Sequence, residues 1–239
     1  KLVQGGNVQM GASRREAGRR ANEVLRKAKI TRWYYIAEKE VTNADYRAFV
    51  AEHDSKAIEG YSLNDESQPV VQVTWQDAAR YCNWLSAQQK LPPYYQERNH
   101  RIIGVNPDAT GYRLPTESEW VFAAKAQKSL KFPWGMKMPP QKDSGNFADS
   151  SAGYLLGRVL RDYSDSFIVS GPVGSFEPNA LGLYDMGGNV AEWEFAGIVE
   201  DVDDDGFIVD VKAKLEAGDV LEIVSPHRRE PVLIRLYDF

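Results

Sequence analysis

Cysteine is nearly absent from this chain of 239 residues: Cys82 is the only one. One thiol excludes an intrachain disulfide and any metal cage built on several thiolates. Histidine is scarce too. His53, His100 and His227 lie far apart, and no two have the i, i+4 spacing of a helical metal pair. No stretch approaches the ~18–20 uninterrupted apolar residues of a membrane-spanning helix. Excess positive charge is also missing. The net charge of −5 gives no general pull toward nucleic acid or an anionic membrane. Basic residues cluster only at Arg14-Arg15, Arg19-Arg20 and His227-Arg228-Arg229, short runs that read as solvated faces. Internal repeats and low-complexity tracts are lacking.

What is present is ordinary globular text: 43% hydrophobic, 26% charged and 11% aromatic residues. A chain this long buries most of its apolar surface and needs no metal or disulfide to fold. All six tryptophans lie within the first 193 residues. Three short helices are predicted, each opening with a threonine followed three residues later by a carboxylate: Thr42 with Asp45, Thr74 with Asp77, and Thr116 with Glu119. The hydroxyl accepts an orphan amide, and the carboxylate suits the positive end of the helix dipole. In the second helix Ala78, Tyr81, Cys82 and Leu85 fall at i, i+3, i+4 and i+7 and predict one apolar stripe, with Trp75 and Trp84 beside it. Trp120, Ala123 and Ala124 follow the third start. From about 127 to 182 no helical period is visible, and Pro- and Gly-rich clusters such as Phe132-Pro133-Trp134-Gly135 predict loops. Ordered loops of that length need anchors, of which bound ions are one kind.

Seven phrases in order carry a resemblance. They are Gly5-Gly6 through Met10-Gly11; Glu40-Val41-Thr42-Asn43 with Tyr46 and Phe49; Pro69-Val70-Val71 through Thr74-Trp75; and Tyr81-Cys82-Asn83-Trp84-Leu85. Tyr112 through Trp120, Phe132 through Gly135, and Asn179 through the Leu183-to-Trp193 run complete the set. Together they resemble the formylglycine-generating enzyme, or sulfatase-modifying factor, family over residues 1–194. The resemblance implies an α+β, loop-rich, C-type-lectin-like formylglycine-generating-enzyme fold with a small all-β tail. It implies two calcium sites. One would use the Asn146 side chain, the Phe147 carbonyl, the Asp165 carboxylate and the Phe167 carbonyl. The other would use the Asp185 and Glu192 carboxylates with the Gly188 and Val190 carbonyls. Oxygen donors of this kind suit a hard cation. Read without the resemblance, Asn146 and Asp165 are turn caps and Glu192 a solvated acid.

The departures point away from catalysis. Family enzymes place an Arg-Gly-Gly-Ser-Trp run and two copper-binding cysteines after the Gly-Asn-x-x-Glu-Trp phrase. This sequence has neither the run nor any cysteine after Cys82. Copper is therefore not expected, no catalytic residue is assigned, and Cys82, on the apolar stripe, reads as a structural thiol. The expectation is a non-catalytic, calcium-stabilised binding or scaffold domain with a protein or peptide partner. The alternative is an oxygen-dependent family enzyme, copper- or iron-dependent, whose catalytic segment is missing from this chain. An extracytoplasmic location follows from the resemblance alone.

After Trp193 the text changes. Segments starting at Phe195, Gly206, Asp219 and Val232 alternate as strands do. Val211 through Pro226 resembles the small carboxy-terminal barrel of collagenase-like peptidases and related tRNA-hydroxylation proteins, the one route by which nucleic acid would enter. Residues 195–239 are thus expected as a separate β module, joined by a natural fusion, an engineered chimera or a composite sequence. Asp201-Val202-Asp203-Asp204-Asp205-Gly206 imitates the start of an EF-hand loop. Lys212 stands where its bidentate glutamate belongs, so a hairpin is predicted instead.

Overall fold

The computed structural model describes residues 1–16, 19, 23–126, 128 and 130–195, and the backbone of 197–203, 206–211, 220–223 and 232–235. In chain order the elements begin with β1 (Leu2–Val3), β2 (Asn7–Met10), β3 (Arg26–Lys29), β4 (Tyr34–Tyr35), α1 (Asn43–Arg47), β5 (Ala57–Ile58) and β6 (Tyr61–Ser62). They continue with α2 (Trp75–Gln88), β7 (Tyr95–Arg98), β8 (Arg101–Val105), α3 (Glu117–Ala124), β9 (Gly197–Asp203), β10 (Gly206–Val211), β11 (Val220–Ile223) and β12 (Val232–Arg235). Among the described residues every sheet is a single pair of strands, and long loops separate the pairs. This is a loop-rich α+β chain. None of its described helices is long and apolar enough to cross a membrane.

The three predicted helix starts form as the local chemistry requires. Thr42 and Thr74 each accept the amide three residues on, and Asp45 and Asp77 reciprocate at the threonine amide. At α3, Glu119 N donates to the Thr116 hydroxyl and Thr116 N to Glu119 Oε2. The stripe of α2 needs a correction. Tyr81 and Cys82 are buried as expected, but the other fully covered residues are Ala79 and Ser86, while Ala78 and Leu85 are only half-buried. Apolar periodicity missed this because Ser86 satisfies its own polarity. Its hydroxyl donates to the Cys82 carbonyl at 2.8 Å and accepts the Tyr112 amide at 2.8 Å. Trp75, Trp84 and Trp120 are half-buried, and Trp193 is exposed.

The chain divides into two compact units. One comprises residues 1–7, 30–73 and 121–192. Its buried side chains include Val3, Tyr46, Leu63, Tyr163, Leu183 and Met186. Asn43 is fully buried there and ties three segments. Its amide donates to the Leu63 and Asp65 carbonyls, each at 2.8 Å, and its Oδ1 accepts the Ser55 hydroxyl at 2.6 Å. Among the described residues, the loops from 130 to 192 contain one turn of 3-10 helix (Ser150–Ala152) and are held by ring contacts. Phe132 stacks on Trp134 at 4.9 Å, Trp134 meets Phe147 edge-on at 5.0 Å, and Phe147 meets Tyr163 at 5.5 Å.

The other unit comprises residues 8–29, 74–120 and 193–239. Its core gathers Ala79, Cys82, Tyr94, Tyr95, Ile102 and Phe195, with Trp75 and Leu114 packed on the edge. Phe195, counted with the tail in the sequence, is 1% exposed and lies edge-on to Tyr94 at 5.8 Å. A boundary at residue 194 thus leaves one core residue on the tail side. Beyond it β9 pairs with β10 and β11 with β12, both antiparallel, with Gly206 opposite Asp203 as a hairpin requires. These strands follow the alternation read from the sequence, and no closed barrel forms among the described residues. The side chains of 196–239, including His227 and its two arginines, lie outside the described residues, and so does the expected separation of the tail.

Candidate metal centre

The first expected site gathers around Asp165, in the unit formed by 1–7, 30–73 and 121–192. Asp165 Oδ2 accepts the Phe147 amide at 2.8 Å and Oδ1 the Phe167 amide at 2.9 Å. Its carboxylate therefore joins the two residues whose carbonyls the family pattern would use. Both oxygens also serve as caps, the role that turn chemistry alone assigns them. Burial pushes the Asp165 carboxyl up, against those two amides. Asn146 is buried, and its amide nitrogen donates to the Val169 carbonyl at 2.8 Å and to Asn189 Oδ1 at 3.2 Å. Its own Oδ1 is what remains for a cation.

Asp185 and Gly188, expected at the second site, lie in a turn at 185–189 that meets the Asn146 backbone. A side chain on Gly188 would meet the Asn146 carbonyl at 2.2 Å, and the Asn189 amide donates to that carbonyl at 2.8 Å. Only glycine allows this approach, and φ at Gly188 is +107°. Asp185 and Asn189 also hold positive φ, of 53° and 61°. Such a cluster of strained backbone is typical of a binding turn.

Two residues not expected among the ligands, Glu40 and Asn189, bond each other beside Asp185. Asn189 Nδ2 donates to Glu40 Oε2 at 3.2 Å, and its Oδ1 accepts the Gly171 amide at 2.9 Å. Glu40 Oε1 and Asp185 Oδ1 are buried without a hydrogen-bond partner. Burial, then the charges of Asp185 and Glu192, push the Glu40 carboxyl up to about 8, against the Asn189 bond. Burial also raises Asp185, opposed by the Gly174 amide, Glu40 and Lys39. Buried acceptor oxygens without donors, beside a Glu40 carboxyl whose ionisation Asp185 and Glu192 oppose, form the environment a divalent cation would relieve. Glu192 is exposed, yet its charge reaches Glu40. Among the described residues no three carboxylate, imidazole or thiol groups converge at ligand distance. The expected sites draw five of their eight donors from backbone carbonyls and the Asn146 amide. Glu40 lies two residues before the Thr42 cap, with nothing local to mark it as a ligand.

Burial pushes the Cys82 thiol up to about 12 despite nearby Arg113, so it is an unreactive core group. The His53 ring lies 3.2 Å from the Ser55 hydroxyl and 2.9 Å from the Val71 carbonyl, and His100 is at the surface beside Glu97.

Comparison with known proteins places the chain in a family. The profile of the sulfatase-modifying factor enzyme 1-like domain matches residues 1–203, running through β9. The chain is 33% identical over 180 residues to the chaperone protein LppX of Paenibacillus barcinonensis, covering 67% of this chain and 61% of that protein. It is 31% identical over 189 residues to the formylglycine-generating enzyme of Mus musculus, covering 67% of this chain and 48% of that enzyme. The inactive C-alpha-formylglycine-generating enzyme 2 of Bos taurus is 35% identical over 130 residues, 52% of this chain and 32% of that protein. The chain thus spans between a third and about three fifths of these relatives. The structure of PvdO from Pseudomonas aeruginosa superposes with a TM-score of 0.60 at 24% identity, over 82% of this chain and 69% of that one, which establishes a shared fold.

Proposed function

This chain belongs to the sulfatase-modifying factor family, and from that premise we propose that it is a non-catalytic, calcium-stabilised binding domain. The observation that carries the reading is its one cysteine. Copper in the family enzymes requires soft thiolate ligands in a pair, and Cys82 is single, buried and held protonated. Relatives named as an inactive enzyme and as a chaperone support a family role without oxidation.

Calcium is the proposed ion. The two unpartnered carboxylate oxygens of Glu40 and Asp185, with Glu192 and the Gly188 and Val190 carbonyls, supply hard donors at the second site. Asn146, Phe147, Asp165 and Phe167 would serve the first. The ion's work would be to fix loops, not to react. Residues 195–239 are proposed as an appended β module, and a protein or peptide as a partner.

The test is incubation of the chain with a sulfatase-type cysteine peptide, with and without added copper, followed by mass spectrometry. The expected outcome is an unchanged peptide. A mass loss for conversion of cysteine to formylglycine would overturn the reading. The alternative, an enzyme whose catalytic segment lies outside this chain, draws on the short span relative to the mouse enzyme. It predicts that the full gene product converts the peptide although this chain does not.

A further inference from the structure

From Val121 to Lys142 the chain carries five lysines, no arginine and no acid, although 34 of its 239 residues are acidic. The lysines stand three to six residues apart, so they form no cluster in the sequence. The whole stretch belongs to the unit that holds the candidate metal centre. Lys128, Lys131, Lys137 and Lys142 are exposed. Among the described residues, Lys128, Lys137 and Lys142 join no ion pair. Between the last three lysines four consecutive residues, Met136 to Pro139, are exposed, with Met136 at 61% and Met138 at 51%. Large apolar side chains grouped in water and rimmed by polar ones mark protein or membrane contacts.

This tip stands on a fixed base. The backbones of Phe132 and Gly135 bond each other in both directions, at 2.8 Å and 3.1 Å. Trp134 Nε1 donates to the Lys137 carbonyl at 3.1 Å, and Lys131 Nζ lies 5.0 Å above the Phe132 ring. The indole packs so closely on Gly187 that a Cβ there would lie 3.0 Å from it. At Gly135, by contrast, a Cβ would meet nothing within 4 Å. The tip is therefore held at its root and presented to solvent, which lowers the cost of ordering it on contact.

The chemistry of the loop selects its partner. Uncompensated positive charge requires an anionic one. Protein interfaces favour arginine, whose fork matches a carboxylate, and are depleted in lysine. Here every cation is a lysine. An extended peptide would need an open strand edge, but Phe132 and Gly135 bond each other and the Lys137 carbonyl is taken. Lysines act as point charges toward an anionic lipid surface and need no matched geometry. Methionines can enter the boundary of headgroup and acyl chain while the ammonium groups stay among the headgroups. We infer that the loop of residues 130–142 docks on an anionic lipid surface, with Met136 and Met138 entering it and Lys131, Lys137 and Lys142 facing its headgroups. The chain as a whole is acidic, so the contact is confined to this face. It needs neither calcium nor the absence of oxidation.

The experiment is co-sedimentation of the whole chain, in chelator, with vesicles of phosphatidylglycerol and phosphatidylcholine in equal parts, and with vesicles of phosphatidylcholine alone. Binding to the anionic vesicles only is expected, and salt should weaken it. Lys137→Gln combined with Lys142→Gln, and Met136→Ser combined with Met138→Ser, should each weaken it about tenfold or more. All four side chains are exposed, so both double variants should melt as the wild type does. Absence of binding to the anionic vesicles overturns the inference. So does equal binding to the neutral ones, or binding that survives either double substitution. Binding of poly-glutamate that the lysine substitutions abolish, with no vesicle binding, overturns it in favour of an acidic polypeptide partner. None of these outcomes alters the cysteine-peptide result, so the two readings fail separately.

Discussion

Arg113 grips Glu119 with two bonds of 2.7 Å and 2.6 Å, and the pair is largely shielded from water. Burial raises the Glu119 carboxyl, but Arg113 and the amide and hydroxyl of Thr116 outweigh it and hold the pKa below the usual value. A carboxyl depressed in the folded state adds stability above its unfolded pKa, near ~4.3, and loses that contribution as pH falls through the folded value. Glu119→Gln should therefore cost about 1.5–3 kcal/mol near neutrality, the range for hydrogen bonds to charged groups. The gap between wild type and variant should close as pH falls below about 4, as urea unfolding at several pH values will read. A gap that stays constant into acid would show that the ion pair contributes nothing. The sequence displayed Glu119 as a helix cap but hid its ion pair with Arg113, because six residues of chain can bring the two together or apart. Asn43 was equally hidden. Its place in a helix-start phrase is visible, whereas its bonds to the Leu63 and Asp65 carbonyls exist only once the chain has folded back.

At the scale of elements, whatever is decided within four residues was legible. All three capping boxes form, and Thr74→Ala should cost about 1 kcal/mol, the usual worth of such a cap. Contacts between α2 and distant chain were not legible. Gly111 passes so close to the helix that a Cβ there would lie 2.3 Å from the Pro92 carbonyl and 2.5 Å from the Ser86 hydroxyl. Gly111→Ala should then cost about 3 kcal/mol, the upper part of the overpacking range and well above the cap. Removing the Ser86 hydroxyl as well will not rescue it, since the Pro92 carbonyl remains and Tyr112 N loses its acceptor. Thermal melts of the single and double variants check this, and a Gly111→Ala protein as stable as wild type would refute the close approach. The same serine explains why the buried face of α2 centres on Ala79, Cys82 and Ser86: a stripe read from apolar residues alone cannot register a polar side chain whose bonds are all internal.

For the whole molecule, the loops from 127 to 192 pose the main question, because no periodic pattern there announces what holds them. Part of the answer is aromatic contact through Trp134, Phe147 and Tyr163, together with side chains that cap backbone amides, such as Asp149 and Asp165. Neither kind of anchor has a period: Asp165 was legible as a turn cap, but its reach to the Phe147 amide and the ring contacts were not. The candidate metal centre was half legible: Asp185 and Glu192 came from the family pattern, while Glu40, about 145 residues earlier in the chain, came only from the fold. Its charges set the sign of the last prediction. Without a cation, the charges of Asp185 and Glu192 oppose the ionisation of Glu40, and Glu40 Oε1 and Asp185 Oδ1 are buried without a donor. A divalent ion turns that repulsion into attraction. Because it binds the native state alone, it adds about 2.7 kcal/mol at roughly one hundred times its Kd. Calcium should therefore raise the melting temperature over chelator, and Asp185→Ala or Glu192→Ala should remove most of that response. Glu40→Gln should separate the two states. It relieves repulsion when chelator is present, so the variant melts at or above wild type there, and it weakens the gain from calcium. Equal melting of wild type in calcium and in chelator would leave these acids as a buried cluster held by protonation, with no ion in its economy.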